Sequence, residues 1–192
     1  MNLRKSEKTF VFILVLVIIS ALSASLISIV YAITKPKIES IKRQALIDAA
    51  NMVLPESDEV VQKTKEIPGS AEKIEYFEGI KGSKITGYAF STENNKGYGG
   101  TVQLLMGIDE KCNITGFQII QHAETPGLGD QAGKPFFKKQ FEGKGLDNFK
   151  FLVKQDGGDV DAITAATITS RAVTRALEDG LKKTGSVVAG CK

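Results

Sequence analysis

The hydrophobic pattern of the chain opens with three successive rhythms. From Phe10 to Ile33 it runs 24 residues without a charge, "FVFILVLVIISALSASLISIVYAI". A bilayer core needs about 20 apolar residues in a helix, and the apolar part of a signal peptide is shorter, about 7–15 residues. The small residues of "SALSA" lie in mid-run with another apolar stretch behind them. The pattern therefore predicts an uncleaved transmembrane helix over 10–34, preceded by a short tail over 1–9. Pro36 is expected to end that helix, because Lys35 before it is pushed out of helical geometry.

The second rhythm is helical. In 37–53, Ile38, Ile41, Ala45, Leu46, Ala49 and Val53 fall near a spacing of three to four, which predicts an amphipathic stalk helix leaving the membrane. "LPESDE" breaks it, so 35–70 reads as stalk and connector. The third rhythm has the length and punctuation of strands. "KIEYFEGIKG", "KITGYAFST", "TVQLLMGID" and "ITGFQIIQH" are separated by "KGS", the Gly/Asn-rich "ENNKGYGG" and "EKCN". Residues 71–122 thus predict an antiparallel meander. A Pro/Gly loop over 123–133 follows, then a short helix in "KPFFKKQFEG" with Pro135 in its first turn. "FKFLVK" reads as one more strand. A last helix over 167–184 would bury Ile168, Ala172, Val173, Ala176, Leu177 and Leu181, with Gly185 as its stop.

The expected architecture is α+β: one N-terminal transmembrane helix, then a domain over 71–192 with a mainly antiparallel sheet and flanking helices. Hydrophobic residues make up 42% and charged residues 24%, which excludes a disordered chain. Beyond the span the charges nearly balance, and no basic stripe interleaved with aromatics appears. Nucleic acid is therefore not an expected partner; the lipid bilayer is. No GxGxxG opens a βαβ unit and no GxxxxGK[ST] is present, so the usual sequence routes to NAD and ATP are missing. Cys112 and Cys191 are too few for a disulfide framework or a zinc site, but can form one bridge outside the cytosol. Arg4, Lys5 and Lys8 before the span are matched by Lys35, Lys37, Lys42 and Arg43 after it, so charge leaves the orientation open. The short tail favours keeping the N-terminus in the cytoplasm and exporting the domain.

Candidate chemistry concentrates in "DAITAATITSRAV", 161–173, where Thr164, Thr167, Thr169 and Ser170 crowd a helix entrance. Thr164, Thr167 or Thr169 can each cap that helix, and Asp161 can favour its positive end. The same end can seat a phosphate on its free N–H groups. Arg171 is placed to meet such a phosphate, and Arg175 less so. Asp161 to Thr167, "DAITAAT", resembles the flavinylation motif D-x-x-[ST]-G-A-[ST] of the FMN-binding domain family. That family includes the C subunit of the sodium-translocating NADH:quinone oxidoreductase and the G subunit of the Rnf ferredoxin:NAD oxidoreductase complex. "ETPGLG", Glu124 to Gly129, is similar to the family's flavin-lining loop. Ala165 departs from the pattern, which has Gly there; the added methyl matters if that backbone needs a positive φ.

The resemblance implies FMN held covalently through a phosphoester on Thr167, installed by a flavin transferase. Asp161, Thr164, Ala165 and Ala166 would form the rest of the motif, and Glu124, Thr125, Pro126, Gly127, Leu128 and Gly129 the loop along the ring. It further implies an electron-transfer subunit of a membrane-bound, ion-translocating Rnf-type complex. Such a subunit is a redox part that is not catalytic alone. It sits in the inner membrane with its domain outside, among other membrane subunits. No metal is expected. The C subunit of the quinone reductase, or a stand-alone anchored flavoprotein carrier, is the nearest alternative. A tethered scaffold without cofactor, its Thr residues serving only as caps, is the alternative of another class. His122, the single His, fits a packing or hydrogen-bonding role. Phe136, Phe137 and Phe141 fit the core. Lys134, Lys138 and Lys139 fit either a solvated face or a site favouring reduced flavin.

Overall fold

A computed structural model describes residues 3–66, 73–185 and 188. The chain divides into two units, residues 1–44 and 45–192. Helix α1 spans Leu3–Val53, and its apolar side chains from Phe10 to Ile33 are exposed. The 24-residue uncharged run measures about 36 Å at the helical rise, which exceeds the roughly 30 Å of a bilayer core. This helix is long and apolar enough to cross a membrane. Pro36 does not end it: the helix runs on through the proline. Proline removes one backbone bond from a helix, and the sequences on both sides are helix-forming. The expected membrane helix and stalk are therefore one element.

The second unit is built on five antiparallel strands in the order β1-β2-β3-β4-β5. They are β1 (Glu59–Glu66), β2 (Lys73–Lys81), β3 (Lys84–Asn94), β4 (Val102–Asp109) and β5 (Ile114–Gln121). The meander stands as expected over β2–β5; its first two positions, 71 and 72, lie outside the described residues. Strand β1 is an addition, since it occupies the expected connector. Its eight residues, "EVVQKTKE", are mostly exposed. A polar edge strand carries little apolar signal, and its pairing with β2, from Glu59↔Ile80 to Glu66↔Lys73, is what defines it.

Both faces of the sheet are covered. Leu104, Met106 and Ile108 of β4 face one core with Phe90, Val173, Ala176 and Leu177. Leu105 faces the other, with Phe77, Ala89 and the end of α1 at Ala49, Ala50, Val53 and Leu54. Successive strand side chains point to opposite faces, so β4 is apolar at almost every position rather than alternating. Helix α3 (Thr167–Thr184) covers the first face. The Thr92 hydroxyl of β3 donates to the Ala176 carbonyl at 2.7 Å, tying sheet to helix. On the other face the Thr115 hydroxyl of β5 donates to the Val53 carbonyl, satisfying a carbonyl at the end of α1.

After β5 the chain forms a short 3-10 turn (Gly129–Gly133), helix α2 (Pro135–Lys138) and a second 3-10 turn (Lys139–Phe141). "FKFLVK" is not a strand. Among the described residues its pairing is a single bridge, Val153↔Val160. Its backbone bonds close its own loop instead, from Lys154 N–H to Val160 C=O and from Val160 N–H to Leu152 C=O. The alternation in the sequence is real, because Phe151 and Val153 are buried while Lys150 and Lys154 are exposed. Among the described residues no neighbouring strand continues it. Cys112, in the β4–β5 turn with φ +66°, is disulfide-bonded. Cys191, the chain's other cysteine, lies outside the described residues.

Candidate functional site

The segment 161–170 shows why its hydroxyls are placed as they are. Ala166 occupies the N-cap of α3, and no side chain caps it. The capping expected of Thr164, Thr167 or Thr169 is therefore absent. The Ser170 hydroxyl instead accepts from Ile163 N–H at 2.9 Å and donates to Ala166 C=O at 3.0 Å, fixing the approach to the helix from inside. Thr169 is buried, and its hydroxyl donates to Glu124 Oε2. Ile168 is corrected as a core residue: it is 47% exposed and lines the open cleft at the start of α3.

Ala165 has φ +61°, the left-handed region where a Cβ costs roughly 1–2 kcal/mol. The departure from Gly at this position thus carries a strain. Glycine's greater freedom in the unfolded chain, about 0.5–1 kcal/mol, offsets part of any gain. Ala165→Gly is expected to stabilise the domain by about 0.5–1 kcal/mol. Chemical denaturation of the detergent-solubilised chain measures it, and a loss of stability contradicts the assignment.

The uncapped helix end opens into a cleft of about 490 Å³, lined from three directions. Thr167, Ile168 and Thr169 of α3 form one wall with Ala165 and Ala166. Glu124, Thr125, Leu128 and Gly129 form the second, and Tyr98 of the β3–β4 turn the third. The size lies within the roughly 300–1,000 Å³ of small-molecule sites. Thr167 is half-buried there, next to backbone N–H groups that no side chain caps. The first-turn N–H groups of a helix lack intrahelical acceptors. Hydroxyl, free donors and the positive end of the helix dipole together suit a phosphate. Leu128 and Ile168, 41% and 47% exposed, and Tyr98, 71% exposed, offer apolar and aromatic surface to a flat ring. The residues present therefore fit a phosphorylated ring such as FMN.

The closeness of the walls depends on two glycines. A Cβ on Gly99 would stand 1.9 Å from the Ala123 carbonyl oxygen, and one on Gly129 would stand 2.6 Å from Glu124 Oε2. The turn "ENNKGYGG" is thus part of the site, which the sequence reading missed together with Tyr98. The only signal was an aromatic residue set among glycines. His122 accepts the Glu124 N–H on Nδ1 at 3.2 Å, a hydrogen-bonding role at the head of the loop.

Several expected site residues stand elsewhere. Asp161 and Thr164 line a separate hollow of about 400 Å³ with Phe136 and Gln140. The Asp161 carboxylate meets Lys154 at 2.8 Å, and its backbone N–H donates to Gln140 Oε1 at 2.7 Å. Pro126 and Gly127 shape the loop without lining the cleft; Gly127 takes φ +79°. Arg171 is committed to Asp156 through two bonds of 2.7 Å. Hydrogen bonding from this guanidinium holds the Asp156 carboxyl below its usual range, and Asp156 raises the Arg171 pKa in turn. Lys138 donates to Gln118 at 2.8 Å, and burial lowers its pKa. Lys134, Lys138 and Lys139 do not line the cleft. Among the described residues no cluster of His, Cys, Asp and Glu suits a metal.

The antiparallel sheet and the helix α3 that covers one of its faces define an α+β domain whose cleft, at the start of α3, fits a phosphorylated ring compound. Residues 97–182 match the FMN-binding domain family. Over the longer chain, the G subunit of an ion-translocating oxidoreductase complex from Aliivibrio fischeri is 31% identical, covering 86% of this chain and 85% of that one. The G subunit of a Na(+)-translocating ferredoxin:NAD(+) oxidoreductase complex from Acetobacterium woodii is 34% identical over 84% of each chain. The G subunit of a proton-translocating ferredoxin:NAD(+) oxidoreductase complex from Clostridium ljungdahlii is 31% identical over 88% of each. The chain belongs to the family of G subunits of ion-translocating oxidoreductase complexes. Its fold is also that of the C subunit of a Na(+)-translocating NADH-quinone reductase from Parabacteroides distasonis, with a TM-score of 0.52 and 23% identity over 69% of this chain and 78% of that one.

Proposed function

We propose that this protein is the flavin-carrying, electron-transfer subunit of a membrane-bound, ion-translocating ferredoxin:NAD oxidoreductase of the Rnf type. FMN is its cofactor, attached covalently as a phosphoester on Thr167 by a flavin transferase. The observation that carries this reading is the shared cleft. The Glu124–Gly129 loop and Thr167, about forty residues apart in sequence, wall one space beside an uncapped helix N-terminus. Bound there, FMN supplies the exchange of electrons; the chain supplies attachment, orientation and electrostatics. The first turn of α3 receives the phosphate, Thr167 Oγ1 provides the ester oxygen, and Leu128, Ile168 and Tyr98 offer surface to the ring. Covalent attachment keeps the cofactor on a domain that no cytosolic FMN pool can reload. The other subunits of the complex donate and accept its electrons.

The full-length chain, co-expressed with a flavin transferase and run on a denaturing gel, tests the reading. A fluorescent band at its mass supports it, and a colourless, non-fluorescent protein leaves the cofactor-free scaffold. Purified and flavinylated, the chain should be reducible by a chemical donor yet reduced only slowly by NADH, since no nicotinamide-binding fingerprint is present. Rapid, saturable reduction by NADH alone would make it a reductase in its own right.

The domain faces the extracytoplasmic side. The disulfide at Cys112 supports this, because such bonds persist in oxidising compartments. Protease added to spheroplasts is expected to digest the domain. Protection until lysis reverses the orientation.

A further inference from the structure

We propose that Glu124 is the positioning residue of the cleft. Its buried carboxylate ties the three walls of the site together, and its charge opposes reduction of the flavin held there. This rests on the reading above that the cleft takes FMN. The side chain is 6% exposed. Its Oε1 accepts the Gly99 N–H at 3.1 Å, and its Oε2 accepts the Thr169 hydroxyl. Gly99 follows Tyr98 in the β3–β4 turn, Thr169 lies two residues past Thr167 in α3, and Glu124 opens the loop that carries Leu128. One carboxylate thus reaches each segment that lines the cleft. Its position is enforced from around it. A Cβ on Gly97 would stand 2.5 Å from Oε1, and one on Gly129 would stand 2.6 Å from Oε2 and 2.8 Å from Thr169 Oγ1.

Hydrogen bonding alone does not explain the charge. A glutamine can reach the same two partners, with its oxygen accepting from Gly99 and its amide donating to Thr169. Burying a carboxylate is costly unless it is paired, and among the described residues no ion pair neutralises Glu124. Among the residues lining the cleft, Glu124 is the one with a formal charge. Fixed negative charge in a water-poor wall acts strongly on its neighbours. It opposes each electron added to a ring beside it, which lowers the potential of that ring.

The test uses the full-length chain with Glu124→Gln and Glu124→Ala, flavinylated and titrated against redox mediators. Glu124→Gln is expected to shift the midpoint potential upward while keeping the visible circular dichroism of the bound flavin. Glu124→Ala is expected to weaken that dichroism as well. A second arm needs no flavin. In the Thr167→Ala background, hydrogen exchange at the 97–100 backbone should quicken roughly tenfold in Glu124→Ala, the scale of one lost charge-assisted hydrogen bond. It should stay slow in Glu124→Gln. An unchanged potential in Glu124→Gln overturns the electrostatic role, and unchanged exchange in Glu124→Ala overturns the tie. A wild-type chain that never acquires flavin overturns the FMN reading instead, and the exchange arm still decides the tie.

Discussion

Thr167→Ala yields a folded, membrane-bound chain without flavin fluorescence on a denaturing gel. The expected loss is complete, because a phosphoester needs the one oxygen that the substitution removes. Thr125, Thr167 and Thr169 all line the cleft, and Thr167 is the one at the first position of α3, where the helix N–H groups are free. Thr169 spends its hydroxyl on Glu124 and Ser170 spends its own on Ala166, so neither is a ready substitute. Thr164 lines the neighbouring hollow. Losing a Thr cap ordinarily costs about 0.5–2 kcal/mol, but Ala166 is the N-cap and no side chain serves it. The stability of Thr167→Ala should therefore stay within about 0.5 kcal/mol of the parent. Retained fluorescence in Thr167→Ala, with loss in Thr164→Ala or Thr169→Ala, moves the attachment to another hydroxyl.

Phe141→Ala is expected to destabilise the domain by about 3–5 kcal/mol, the range for emptying a buried aromatic site. Phe141 is fully buried. Its ring lies 5.4 Å from Phe137, 5.6 Å from Phe117, 6.0 Å from Phe149 and 6.3 Å from Phe151, centre to centre. The chain just after it pairs with β5: Gly143 N–H donates to Ile114 C=O, and Ile114 N–H donates to Lys144 C=O, both at 2.8 Å. The cavity would therefore loosen one edge of the sheet as well as the aromatic cluster. Phe136 is the internal control. It is 57% exposed, so Phe136→Ala should change stability by no more than about 0.5 kcal/mol. Denaturant unfolding compares the two, and a Phe141→Ala cost below about 1 kcal/mol removes that ring from the centre of the core.

Phe136 and Phe141 show the limit of sequence reading. Three phenylalanines close together announced a core, and two of them are in it. The short helix that carries Phe136 and Phe137 turns Phe136 outward, and composition does not state that phase. Ile168 follows the same logic, since its spacing from Ala172 is right for the buried face but it lines the open cleft instead. Pro36 marks a backbone preference that long helix-forming stretches on both sides overrode. Strand β1 was invisible because an edge strand needs a partner more than it needs apolar residues.

By itself the sequence determined the long apolar helix, the meander over β2–β5, the last helix and the two motifs. Each rests on local quantities: uninterrupted apolar length, period, turn residues and short residue patterns. Only the tertiary structure decided which of those residues meet. It set Leu128, Glu124 and Tyr98 around one cleft with Thr167, turned Asp161 and Thr164 to another hollow, and bound Arg171 to Asp156. It also placed Ala165 in a left-handed conformation. Contacts between distant segments depend on how helix and loops dock on the sheet. That docking is fixed by side-chain packing and by buried hydrogen bonds such as that of Thr169 with Glu124, whose partners lie 45 residues apart.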